Sequence, residues 1–565
     1  MSTPQRSCDL VMKGGITSGV VYPKAVARLA KTYRFRNIGG TSAGAIAAVV
    51  TAAAEYGRDQ GGFEKIEALP DQLSATLLEK FQPIPELRPA FNLLLALLSK
   101  SPLGICAALL KGYALPAFLS AIPAIIVGLM ALFSWHSWWA AVLSLLLLVL
   151  FPLVASAIAA VLQIRKRLPA ADFGLCNGMT QPYSLPGHPA LTEWLADTID
   201  LVAGRETTGA PLGVEDLKSC KIIVQTVTTD ITTHRPYVLP MENNLHFFSE
   251  KEFRALFPGR VVDAMLTTPK TGDSDDLHPF RVENLPLVVL ARMSLSFPGL
   301  ISAVPLHRMD HTLMGVDEQQ RMVRCVFSDG GLSSNFPVHF FDRFLPSRPT
   351  FGISLGEYNA KQEKPGTTGE TRVVLPTGAG QGQLLPTRGF TGILGFVFAL
   401  FDSAKDWQDS LQSILAGYRE RIVTVNLKKE EGGLNLEMPA ARITQLTEFG
   451  DEAGELISEK FCLNEHKWRR YLVEVRALDE MLQNFAEAYG ELPEPESLDY
   501  KAIGATYEPL SYKQLTANER QVLLERAEAI AELGRSFKTL QQLDSFEARL
   551  PKSRSRIRSV ARMDY

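Results

Sequence analysis

Between Lys111 and Arg165 the chain runs for 53 residues without Asp, Glu, Lys or Arg, and His136 is the only residue there able to carry a positive charge. No other feature restricts the possible folds as strongly. A membrane-spanning helix needs on the order of 20 apolar residues, because each residue rises about 1.5 Å and the hydrocarbon layer is about 30 Å thick. The run is too long for one pass and fits two, with expected helices at 115–133 and 138–162. The SWHSWW stretch, with Trp135, His136, Trp138 and Trp139, supplies side chains suited to the membrane-water interface. Lys100 and Lys111 flank one end and Arg165, Lys166 and Arg167 the other, so the positive-inside tendency places both ends of a two-pass hairpin in the cytoplasm. Pro123 and Pro152 fall inside the spans, where bilayer helices tolerate them. A hairpin buried in a large core, an oligomer contact, or a loop that enters one leaflet and returns would leave the same pattern.

Outside this run the chain reads as an ordinary globular protein. Its 46% apolar and 21% charged residues exclude disorder, and a net charge of -3 offers no polycation, so nucleic acid is not an expected partner. The mean hydropathy of +0.03 is an average over two kinds of sequence. Six cysteines (Cys8, Cys106, Cys176, Cys220, Cys325 and Cys462) show no metal-like spacing, and the N-terminus lacks a signal-peptide pattern, so a reducing cytoplasm is the expected compartment. Asp273, Asp275 and Asp276 lack the glycine and terminal glutamate of a calcium loop. No metal or cofactor is implied.

Leu10–Met12 reads as a strand, Val20–Ala30 as a helix, Phe35–Ile38 as a second strand and Ala43–Glu55 as an Ala-rich helix. Such alternation predicts an α/β fold with a mainly parallel sheet covered by helices. Further strands are expected at Lys221–Thr228, Leu285–Leu290, Val323–Phe327, Phe351–Leu355 and Ile422–Leu427. The expected organisation is a core in two parts, 1–59 and 171–356, with a helical insertion at 60–170 carrying the hydrophobic hairpin. A flexible loop at 357–388 and a mainly helical C-terminal region with one strand at 389–565 complete it. The basic C-terminal tail, with Lys552, Arg554, Arg556, Arg558 and Arg562, reads as a solvated end.

Gly40, Thr41, Ser42, Ala43 and Gly44 form G-x-S-x-G between an expected strand and an expected helix. A serine on such a turn projects its hydroxyl at the sheet edge, with a helix N-terminus facing any developing anion. A second glycine cluster, Gly14 and Gly15 followed by Ile16, ends the first strand and lacks both the Gly-Lys-Ser/Thr of a P-loop and the G-x-G-x-x-G spacing. Its backbone N–H groups suit an oxyanion at the acyl carbon attacked by Ser42. Asp329, followed by Gly330 and Gly331, is the better candidate for the base, although spacing alone leaves His234, His307 and His311 open.

The order of these pieces, a glycine loop, G-x-S-x-G some 25 residues later and Asp-Gly-Gly far downstream, resembles the patatin-like phospholipases. The segment Ala291–Gly299, the stretch Val224–Asp230, and Asn335 and Pro337 after Asp-Gly-Gly agree with it. The resemblance implies a three-layer α/β/α core and a serine-aspartate dyad, Ser42 as nucleophile and Asp329 as general base, acting on the acyl esters of membrane phospholipid without a histidine. It covers roughly residues 8–58 and 220–356. The chain departs from the usual Gly-Gly-Gly-x-Arg/Lys-Gly loop: Ile16 stands at the third glycine and Ser18 at the basic position. The expected protein is a membrane-associated lipid acyl hydrolase with the lipid bilayer as partner. An acyltransferase on the same dyad, a catalytically weak membrane scaffold, or an effector whose C-terminal helices take a regulatory partner or a second copy are the competing readings.

Overall fold

The computed structural model describes residues 4–540 apart from Ile16, residues 74–75, 131–132, 134–137, 243–244, 267–275, 364–369, most of 379–412, 434, 437, 492–496 and 509–514. Trp135, His136, Asp273, Asp275 and the basic tail at 552–562 therefore lie outside the described residues, as does much of the expected loop at 357–388.

The described strands are β1 (Arg6–Met12), β2 (Tyr33–Thr41), β3 (Gly174–Cys176), β4 (Ile223–Asp230), β5 (Arg235–Leu239), β6 (His246–Ser249), β7 (Leu277–Pro279), β8 (Gly299–Ile301), β9 (Val304–Met309), β10 (Met322–Asp329), β11 (Thr350–Glu357), β12 (Val373–Val374) and β13 (Ile422–Leu427). Eleven form one mixed sheet, ordered β12-β13-β11-β1-β2-β4-β10-β9-β6-β7 with β5 on β4, and β3 pairs separately with β8. The neighbours β13, β11, β1, β2 and β4 run parallel, and β10, β9, β6 and β7 extend them antiparallel. Parallel neighbours need a crossover, which helix α1 (Tyr22–Ala30) supplies between β1 and β2; α2 (Ala43–Tyr56) follows β2.

Alternation along β1 gives the sheet two faces. Cys8, Leu10 and Met12 enter the main core with α1 and α2, and Val11 meets Phe336, Val338 and Phe341 on the other side. The expected strand Leu285–Leu290 is instead the start of a helix, Leu287–Ser294, whose eight residues are all buried. A helix buried all round has no polar face, so its apolar run carries no 3.6-residue signature and reads like a buried strand.

Between α2 and β3 come helices α3 (Gly62–Leu73), α4 (Arg88–Leu98), α5 (Pro102–Gly112), α6 (Ala114–Met130) and α7 (Trp138–Arg167). α6 and α7 pack against each other, and the Tyr113 hydroxyl, just ahead of α6, donates to Gln163 Oε1 near the end of α7 at 2.6 Å. α7 continues five residues past the expected end, to Arg167. Its stretch Val142–Arg167 is long and apolar enough to cross a membrane, and α5 with α6 reaches that standard only as a pair bent by 95°. Leu115, Phe118, Leu145, Leu146, Val149, Val161 and Leu162 all turn more than half their surface outward.

In the C-terminal region the helix Ala440–Lys460 lies on α1. A Cβ at Gly450 would come within 2.0 Å of the Val21 carbonyl oxygen and one at Gly454 within 2.7 Å of that of Ala25, so glycine is what allows this approach. The next helix, Leu463–Gly490, is tied down by Arg470, which shares Asp342 with Arg421 at 3.1 and 2.8 Å.

Two buried imidazoles set an acid limit on this fold. His246, between Tyr237 and Phe327, is pushed down to about 4 by burial and by Arg308. His466 is pushed down to about 3 by burial and then by Arg421 and Arg470. Unfolded, both titrate near 6.5, so below that pH the unfolded chain binds the extra protons. Their contribution to stability is complete above pH 6.5 and drains away as pH falls, towards 4 for His246 and towards 3 for His466. Denaturant melts at pH 7 and pH 4.5 should show that loss, and His246→Phe, which fits the aromatic site without titrating, should reduce it by on the order of 3 kcal/mol. Identical pH slopes for the two proteins would contradict the assignment.

Candidate active site

β2 ends at Thr41, and the chain must reverse within one residue to begin α2 at Ala43. That residue, Ser42, sits at φ 56° and ψ -126°, a conformation costly for a side chain with a Cβ. The glycines around it leave no room for anything larger. A Cβ on Gly40 would lie 2.1 Å from the Gly44 carbonyl oxygen, and one on Gly44 2.3 Å from that of Met12. Gly44 thus lets the first turn of α2 press against the end of β1. The expected strand, turn and helix around Ser42 are all present.

Asp329 reaches this turn through the sheet register. β2 lies parallel to β4 with Thr41 opposite Val227, and β10 lies antiparallel to β4 with Asp329 opposite Thr228. Two residues 287 positions apart in sequence thereby meet across one strand: Ser42 Oγ donates to Asp329 Oδ2 at 2.7 Å. The other carboxylate oxygen accepts the Gly331 N–H at 2.6 Å. Gly330 permits this turn, since a Cβ there would fall 2.0 Å from the Val227 carbonyl oxygen. Both side chains are nearly fully buried. No histidine hydrogen-bonds Ser42 among the described residues: His307 pairs with Glu252 at 2.9 Å, while His234 and His311 lie in turns.

The glycine loop also converges here, with its donors arranged differently from the sequence expectation. The Gly14 N–H is taken by the Asn335 carbonyl at 2.8 Å, so it does not point at Ser42. Gly15 turns its carbonyl to the elbow, accepting the Ala43 N–H at 3.2 Å and lying 3.2 Å from Ser42 Oγ. Ile16 lies outside the described residues. Thr17 anchors the far side of the loop, both its N–H and its Oγ donating to the carbonyl of Gly433 in the C-terminal region.

Sequence reasoning gave no role to the residues that hold the pair in place. The Ser42 N–H donates to Ser294 Oγ at 3.0 Å, and the Asp329 N–H to the Ser296 carbonyl at 2.9 Å. Arg292 underlies both. Its fully buried guanidinium donates to Ser296 Oγ at 2.6 Å and to the Ser302 carbonyl at 2.8 Å, and burial lowers it to about 10, opposed by Cys176 and Asp172. The visible signal was the placement of Arg292, Ser294 and Ser296 at alternate positions, ahead of Asp-Gly-Gly in sequence, which no local periodicity ties to Ser42.

An apolar cleft of about 1030 Å³, open solvent included, runs beside the elbow. Thr17, Ala43, Leu295 and Phe297 line it near Ser42, and Ala47, Val50 and Thr51 line it along successive turns of α2. From Ala43 to Thr51 this is roughly 12 Å of wall. Lys80, its amine pushed down by burial, and Phe81 also line it.

The backbone at Ser42 makes a stability prediction independent of any activity. Ser42→Ala removes the hydroxyl and keeps the strained Cβ; Ser42→Gly removes both. The glycine variant should be more stable than the alanine variant by about 1–2 kcal/mol in thermal or denaturant melts. Coincident melts would mean that the positive φ costs nothing.

Comparison with known proteins agrees with this architecture. The "RpoH suppressor" of Rhizobium meliloti (strain 1021) is 34% identical over 604 aligned residues, covering 92% of this chain and 93% of the relative, although its name carries no chemistry. The crystal structure of VipD from Legionella pneumophila overlaps 85% of this chain and 76% of its own at 13% identity and a TM-score of 0.28, too loosely to carry any argument. The patatin-like phospholipase family matches residues 10–342, a span that runs from β1 through both the elbow and the Asp-Gly-Gly turn. With more than half of its length matched and the patatin fold laid out around Ser42, this chain belongs to the patatin-like phospholipase family.

Proposed function

We propose that the chain is a membrane-associated lipid acyl hydrolase, phospholipase A-like, in which Ser42 is the nucleophile and Asp329 the general base. The observation that carries this reading is the 2.7 Å hydrogen bond from Ser42 Oγ to Asp329 Oδ2 at a strained elbow. The apolar cleft beside it supports an acyl chain as the group bound. Ser42 Oγ attacks the ester carbonyl carbon while its proton passes to Asp329. The tetrahedral intermediate collapses, the C–O bond to the lysolipid breaks, and the leaving oxygen takes the proton back from Asp329. Water then attacks the acyl-Ser42 ester, giving one proton to Asp329, and the fatty acid leaves as that proton returns to Ser42 Oγ.

The oxyanion needs donors at the elbow. In this reading the substrate carbonyl displaces the Gly15 carbonyl from the Ala43 N–H, and the Gly15 and Ile16 N–H groups complete the site as the loop turns. Gly14 serves by anchoring the loop to Asn335. Residues 60–170 act as an insertion between two parts of the catalytic core, and the α6–α7 hairpin holds that core at the bilayer, with the core on the cytoplasmic side.

Lipid profiling of membranes incubated with the purified protein tests the chemistry. Wild type should release free fatty acid and lysolipid. Ser42→Ala should lose on the order of 10⁴-fold or more in rate, and Asp329→Asn about 10²- to 10⁴-fold. The same background with wild type and Ser42→Ala would favour a scaffold, and acyl transfer to an added alcohol in place of fatty acid release would favour the acyltransferase.

The anchor is tested separately by deleting residues 112–164. The deletion should move the protein to the soluble fraction and impair hydrolysis of bilayer lipid far more than of a soluble short-chain ester. Equal losses on both would assign the hairpin to folding.

A further inference from the structure

We propose that the base of the α6–α7 hairpin is a binding surface for the headgroups of anionic phospholipids. The proposal rests on the membrane reading above and names the lipid against which the anchored protein sits. The hydrogen bond from Tyr113 to Gln163, continued from Gln163 Nε2 to the Glu86 carbonyl at 2.6 Å, fixes both legs of the hairpin at one level. Lys111 lies two residues before Tyr113, and Arg165, Lys166 and Arg167 follow Gln163 by two to four. Four cations separated by the uncharged run are therefore gathered where the two legs leave the apolar zone.

α5 turns 95° from α6 at this point. With the hairpin upright, α5 lies in the plane of the interface, carrying Lys111 in its last turn and Leu103, 84% exposed, in its first. All four cationic side chains are exposed, and none is in an ion pair with a described residue. Elsewhere on the surface, Arg28, Arg254 and Arg324 each hold a carboxylate within 3 Å. A cluster with no ion-pair partner among the described residues, beside a helix pair that turns its apolar side chains outward, has the charge to bind anions at headgroup depth even with the Glu86 carboxylate on a neighbouring turn. A zwitterionic headgroup brings its own ammonium and satisfies the cluster less well than an anionic one. The same level borders the cleft. Ile164 and Leu168, on either side of the arginines, pack on the cluster of Leu295 and Leu300, which line the cleft beside Ser42.

The experiment uses the full chain, purified in detergent, diluted into preformed vesicles of phosphatidylcholine alone or with added phosphatidylglycerol, and floated at low and high salt. Wild type should partition more strongly into the phosphatidylglycerol vesicles, by roughly fivefold for each cation engaged, and lose that preference at high salt. A quadruple variant, Lys111→Gln, Arg165→Gln, Lys166→Gln and Arg167→Gln, should keep binding phosphatidylcholine and lose most of the preference. The charge-conserving set, Lys111→Arg, Arg165→Lys, Lys166→Arg and Arg167→Lys, should retain it, and thermal melts of all three proteins report folding. Equal partitioning of wild type and the glutamine variant into both vesicles would overturn the proposal and leave the cations as helix C-terminal charges that favour the helix dipole. Failure to float with either vesicle would overturn the membrane reading itself, and this proposal with it.

Discussion

The structure turns on a reversal of the chain within a single residue, at Ser42. β2 and α2 can be joined this tightly only if Ser42 accepts a positive φ and if Gly40 and Gly44 present no side chain to the neighbouring carbonyls. Such strain persists where surrounding contacts over-determine it. Here they come from three directions. Ser294 takes the Ser42 N–H, Gly15 takes the Ala43 N–H, and Asp329 takes the Ser42 hydroxyl. The partners lie on separate segments, so the elbow forms only when the sheet, the buried helix Leu287–Ser294 and the glycine loop have come together.

Pairing with a carboxylate rather than an imidazole changes what the surroundings must do. A histidine reorients within its site, whereas Asp329 is pinned at both oxygens, one to Ser42 and one to the Gly331 N–H. Its backbone is held as well, through the Ser296 carbonyl and the Thr229 hydroxyl, which donates to the Asp329 carbonyl at 3.0 Å. Arg292 supports this arrangement from beneath, a buried cation whose hydrogen bonds among the described residues go to a serine hydroxyl and to carbonyls, and whose field favours negative charge in the neighbourhood. For the proposed chemistry, geometry is then supplied by the fold rather than by side-chain freedom.

Much of this was legible in the sequence where the signal is local. G-x-S-x-G, Asp-Gly-Gly and the strand Ile422–Leu427 announce themselves because turn chemistry and β-branched runs act over a few residues. The uncharged run likewise marked α6 and α7, and only their ends moved. What was illegible depends on burial or on distance. Leu287–Ser294 looked like a strand because its first turn, Leu287–Leu290, is uninterruptedly apolar and the helix is buried on every side. The short antiparallel strands β5, β6, β7 and β9 are held mainly by their partners and carry little pattern of their own. The Gly14 N–H looked like an oxyanion donor because nothing near it in sequence indicates that Asn335, more than three hundred residues away, already accepts it. The Tyr113–Gln163 contact, which levels the hairpin, spans 50 residues with no local cue.

The C-terminal region lies beyond the family match at 342, yet it is part of what shapes the site. Gly433, in the turn after β13, accepts two hydrogen bonds from Thr17, at the end of the same glycine loop whose Gly15 carbonyl faces the elbow. A few residues further on, the helix Ala440–Lys460 closes against α1 at Gly450 and Gly454, over the segment into which that loop leads. β13 is itself hydrogen-bonded to β11, next to β1, so the position of Gly433 is set by the same sheet that positions Ser42 and Asp329. These C-terminal elements therefore meet the loop and the segment after it through a carbonyl and a packed helix. The loop is the one piece of the site that must turn for the proposed chemistry, and the groups that hold its outer end belong to the part of the chain outside the family match.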